Sequence, residues 1–126
     1  MRYHPENVEE FLFSLQKTNT AIKAVILLSI EGLPIASTLP RDVNKSQLSA
    51  LSATILAVGK RGNTEMDNGE FNHLYINGSK GGVLAFQLSK FEILVVLTKE
   101  NVNLETLLKS VNSFQYEGHT LFHLEH

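Results

Sequence analysis

The chain has 126 residues, 43% hydrophobic and 19% charged, with no cysteine and a formal net charge of −2. That is one domain's length and an ordinary globular composition, which excludes a disordered tail or a disulfide scaffold. The missing cysteines also exclude thiolate metal sites and a thiol nucleophile, and the slightly acidic balance offers nothing to nucleic acid. The longest apolar runs, 24–28 and 93–97, fall far short of the ~20 residues a membrane span takes. The acidic start carries no secretory signal, so a cytoplasmic location and no membrane span are expected.

Val8, Phe11, Leu12 and Leu15 recur at helical spacing and predict a first helix. Pro5 suits its first turn, Glu6, Glu9 and Glu10 suit the positive end of its dipole, and Thr18-Asn19-Thr20 ends it. Ala24-Val25-Ile26-Leu27-Leu28 is a strand covered on both faces; Glu31-Gly32 turns the chain, and Leu33-Pro34-Ile35-Ala36-Ser37-Thr38 returns. Pro34 cannot donate to a ladder, so this second strand belongs at a sheet edge.

A long helix follows over about 44–61, with Asp42 or Asn44 as its cap. Leu48, Leu51, Ile55 and Val58 form one stripe, and Ala50, Ala53 and Ala57 another almost opposite. The alanines are either good helix formers on a wet face or a surface that lets another helix approach closely. Three strands are then predicted, over 71–76, 83–88 and 91–97, joined by the loops 77–82 and 89–90. Asn103 caps a last helix bearing Leu104, Leu107, Leu108, Val111 and Phe114.

The order α-β-β-α-β-β-β-α predicts an α/β (α+β) domain of three layers, with helices on both faces of an antiparallel five-stranded sheet. The most apolar strands, the first and fifth, belong at its centre, which gives the order 2-1-5-4-3. The third strand is then an edge carrying Phe71, Leu74, Tyr75 and Ile76 without lysine or proline, an invitation to pair with a second copy. The domain is taken as 1–117, with 118–126 a tail whose Leu124-Glu125-His126 looks like the stub of an affinity tag.

No catalytic constellation emerges. His119 and His123 stand at i, i+4 but lack a third ligand, so no metal is expected; His73 is a surface or interface side chain on the edge strand. Gly78, Gly81 and Gly82 join two strands rather than open a helix, and Gly59 and Gly62 read as a helix stop, so neither group cradles phosphate. Lys60 and Arg61 form a basic doublet beside that helix end, either a solvated terminus or a protein-partner site.

Three stretches resemble the Roadblock/dynein light chain domain family: Gly32-Leu33-Pro34-Ile35-Ala36-Ser37 after its apolar strand, the alanine-rich helix from Leu48 to Ala57, and Ile93-Leu94-Val95-Val96-Leu97 before Asn103-Leu104. The resemblance covers about 5–115 and is most specific in the first stretch. It implies a non-catalytic regulator without cofactor. Such a chain would dimerise through its third strands with the central helices side by side, and serve a small Ras-like GTPase or a motor complex. On that footing Ala50, Ala53, Ala57, Phe71, His73, Leu74, Tyr75 and Ile76 are the expected dimer interface of a homodimer, and Lys60 and Arg61 the expected partner contacts. The rival reading is a small-molecule sensor of PAS or profilin-like architecture, which needs polar groups converging inside the core.

Overall fold

The computed structural model describes the backbone of residues 5–123 and the side chains of residues 8–113. Helix α1 (Pro5–Thr18) leads into β1 (Ile22–Ser29) and β2 (Pro34–Ser37); α2 (Lys45–Glu65) follows. Then come β3 (Leu74–Gly78), β4 (Gly81–Gln87), β5 (Glu92–Thr98) and α3 (Leu104–His123). The strands form one antiparallel sheet in the order β2-β1-β5-β4-β3, the order expected from the apolar content of β1 and β5.

Three layers enclose two cores. On one face Val8, Leu12 and Leu15 of α1 and Leu107 and Val111 of α3 pack on Val25, Leu27, Leu84, Phe86, Leu94 and Val96. On the other, α2 alone covers Ile26, Leu28, Ala85, Ile93 and Val95. Both apolar runs thus bury both of their faces, as continuous rather than alternating strands do.

The helix caps follow from asparagine at the positions expected of it. The backbone N–H of Gln47 donates to Asn44 Oδ1, and that of Thr106 to Asn103 Oδ1, both at 3.0 Å. The far end of α2 differs from expectation. The helix runs through Gly59 and Gly62, neither with positive φ, and stops only where Asp67 adopts φ 56°. There the N–H of Asn68 donates to Asn63 O and that of Asp67 to Thr64 O, the two bonds of a Schellman cap with aspartate in glycine's usual place. A glycine in a helix costs only about 1 kcal/mol, so packing carries the helix past both.

The edge strand also shifts. It starts at Leu74, not Phe71, because Phe71 turns inward against the core under α2, beside Gly59. It continues to Gly78, and only Ser79-Lys80 turn the chain, where a longer loop was expected. Gly82 sits in the ladder for a steric reason: a Cβ there would collide with Tyr75 Oη and lie 2.9 Å from Thr98 Oγ1. The Tyr75 ring lies across a bare backbone. Gly82→Ala is therefore expected to lower stability by about 1–3 kcal/mol as overpacking. In chemical denaturation a Tyr75→Ala background should remove most of that loss, a non-additive cycle that additive effects would contradict.

Candidate functional site

Side-chain chemistry is sparse. Among the described residues no group of three or more His, Cys, Asp or Glu could hold a metal. The buried polar side chains Ser49, Glu92 and Thr98 sit on α2 and at the two ends of β5, so they do not converge on a pocket. His73 lines an open depression of about 500 Å³ with Asn72, Gln87 and Asn112, none of them acidic. The backbone of His119 and His123 lies in α3, and their side chains fall outside the described residues. No described helix is long and apolar enough to cross a membrane.

The informative geometry is the roll of α2. Ser49 and Leu56 point at the sheet, fully buried. The expected apolar face does not: Leu51 is 53% and Val58 67% exposed. At 100° per residue, Leu51, Ile55 and Val58 fall within about 60° of one another and about 100–160° from Leu56. Leu51 and Ile55 overhang β3, where with Leu48, Leu74, Ile76 and Val83 they line an apolar trough of about 110 Å³. Ile76, 41% exposed, continues this surface to the edge strand.

The alanine stripe lies on the opposite flank. Ala53 is half-buried in the core under α2, while Ala50 and Ala57 are exposed. A Cβ placed on Gly32 would sit 3.2 Å from Ala50 Cα and from Ala53 Cβ, so what approaches the small residues is the β1–β2 turn, with Gly32 at φ 93°. The stripe thus allows close approach, but of a turn within the same chain. Of the expected interface residues, Leu74, Tyr75 and Ile76 lie on the edge strand, Phe71 and His73 just before it, and the alanines on the far side of α2. Leu51, Ile55 and Val58 belong to the other helical stripe of the sequence, and the structure leaves Leu51 and Val58 of it exposed.

Lys60 and Arg61 part company. Lys60 is half-buried, its Nζ donating to Gln87 Oε1 at 2.8 Å across the α2–β4 gap. Arg61 points to solvent and pairs with Glu65 at 3.1 Å, with both side chains mostly exposed (78% and 66%), a pair worth little stability.

The family model of the Roadblock/LC7 domain matches residues 8–98. The uncharacterized protein MJ0310 of Methanocaldococcus jannaschii is 32% identical over 97 residues, which are 77% of this chain and 83% of that protein. MglB of Myxococcus xanthus superposes with a TM-score of 0.81 at 19% identity, covering 93% of this chain and 95% of that one. The Roadblock/LC7 domain from Streptomyces avermitilis gives 0.80 at 15%, covering 90% and 96%. At such identities the two structures show a shared fold.

The alanine stripe makes a prediction. Ala53→Arg should cost the protomer about 1–3 kcal/mol, because the side chain has no room beneath the Gly32 turn. Ala57→Arg, exposed on the same flank, should stay within about 0.5 kcal/mol in thermal melts. Equal effects would contradict the placement of the stripe.

Proposed function

The chain belongs to the Roadblock/LC7 domain family, and on that premise we propose that it is a non-catalytic homodimeric platform for a small Ras-like GTPase in the cytoplasm. The observation that carries the dimer is the uncovered β3 edge beside the exposed Leu51, Val58 and Ile76. Antiparallel pairing of two β3 strands about a two-fold axis joins the sheets into one. It also sets the two α2 helices side by side, each closing the other's trough. A stable interface of this kind buries roughly 1,200–2,000 Å². In this arrangement Leu74, Tyr75 and Ile76 pair at the seam with Phe71 and His73 at its ends. Leu51, Ile55 and Val58 make the helix contact in place of Ala50, Ala53 and Ala57.

The GTPase assignment rests on the family resemblance. The partner is proposed to dock over α2, with the exposed Arg61 as a contact and Lys60 beside it. The dimer would act by holding the partner's own switch segments in one arrangement. Nothing here supports nucleotide chemistry by this chain: the Gly78–Gly82 stretch joins two strands, and Gly59 and Gly62 lie inside α2. The sensor reading is less favoured, since among the described residues the buried polar side chains Ser49, Glu92 and Thr98 stand apart rather than converging in the core.

Val58→Arg tests the platform. The wild type should elute as two copies by light scattering at tens of micromolar; the variant, changed at an exposed position, should stay folded and elute as one. A monomeric wild type overturns the dimer. Calorimetry with GTP and GDP on the protein alone should give no binding heat. Micromolar binding would overturn the platform reading.

A further inference from the structure

One apolar surface lies on the side of α2 away from β3 and is untouched by the proposed dimer. Where the β1–β2 and β4–β5 turns meet, the N–H of Ile30 donates to Phe91 O at 2.9 Å and sets the two turns side by side. Leu33 is 66% and Phe91 61% exposed there, with Ile30 at 37%. Beside them Ile30, Ala53, Leu56, Ala57, Lys60 and Ile93 line a groove of about 260 Å³ whose floor, Leu56 and Ile93, is buried. The surface therefore carries both projecting apolar side chains and an apolar recess.

Glu31 follows Ile30 and Lys90 precedes Phe91 at its rim; both side chains are exposed, and neither forms an ion pair among the described residues. Lys60, inside the groove, is held by Gln87 Oε1 at 2.8 Å. A partner with charge of one sign only is attracted by one of the two rim charges and repelled by the other. A second copy turned by a two-fold axis is attracted by both, because Glu31 of each copy meets Lys90 of the other while Leu33 and Phe91 of each face the other's recess. We propose that this end of the sheet is a self-complementary surface by which two copies of this chain associate end to end. The contact is small, so the association is weak and depends on concentration.

The two ends of the proposed dimer lie at opposite ends of its joined sheet, because the β3 strands run antiparallel. End-to-end contacts then link dimers into short strings rather than one closed species. In sedimentation velocity the mean mass of the wild type should rise above two copies between roughly 10 μM and 1 mM, the range in which a contact this small is populated. Leu33→Ser should hold the mass at its low-concentration value. Glu31→Lys and Lys90→Glu should each weaken the association by about tenfold or more, as like charges then face each other across the axis. The double swap should restore it, and so should mixing the two single variants. A mass that stays constant over the whole range, or a double swap that fails to recover what the single changes lose, overturns the proposal. The Val58→Arg background separates it from the β3 dimer. There each single copy keeps one end and should form at most a pair, which Leu33→Ser abolishes.

Discussion

An α-helix with its side chains is about 10–12 Å across, whereas five strands set about 4.8 Å apart span roughly 20 Å. One face of this sheet meets that mismatch with two helices, α1 and α3, and closes fully over Val25, Leu27, Leu94 and Val96. The other face has only α2. A single helix laid on five strands covers the middle and leaves a trough on either flank. Both troughs exist here, one toward β3 and one toward Ile30 and Ile93, and both are apolar. The proposed partners of this chain follow from the half-covered face.

The roll of α2 decides which side chains fill those troughs. Ser49 and Leu56 take the line of closest approach, and a serine there leaves room for the Gly32 turn to tuck against Ala50 and Ala53. With Ala50 and Ala53 committed to the turn, the larger Leu51 and Ile55 are carried outward over the edge strand, and Val58 into solvent. Left to water they would be a liability beside an unprotected edge. The proposed dimer makes them the centre of a second core shared between two chains.

Much of this was legible in the sequence. The sheet order followed from two physical facts: hairpins pair neighbours, and the strands 24–28 and 93–97 are too apolar to lie anywhere but the middle. Pro34 marked the opposite edge, and Asn44 and Asn103 marked where helices begin. The roll of α2 was not legible, because an amphipathic stripe reports that apolar residues are buried without saying by which chain. Gly59 and Gly62 misled for a related reason: glycine ends a helix only where the backbone turns left-handed, and here Asp67 does so. Gly82 could not be explained from sequence alone, since its role depends on Tyr75 in the paired strand. The edge strand announced itself by what it lacked, while the side of α2 on which Ala50 and Ala53 meet the Gly32 turn could not be read from helical spacing.

Hydrogen exchange at β3 tests the central claim most directly. In a lone protomer β3 is bonded on one side only, to β4, so every second amide from Leu74 to Gly78 points to solvent and should exchange within seconds. If two copies share one sheet, those outward amides at the seam should be protected to the same degree as the inward ones at tens of micromolar. They should lose that protection on dilution while the amides of β5 keep theirs. Outward amides of β3 that exchange freely at every concentration would show that the edge stays open in solution, and the account of α2 as one half of a shared core would be wrong.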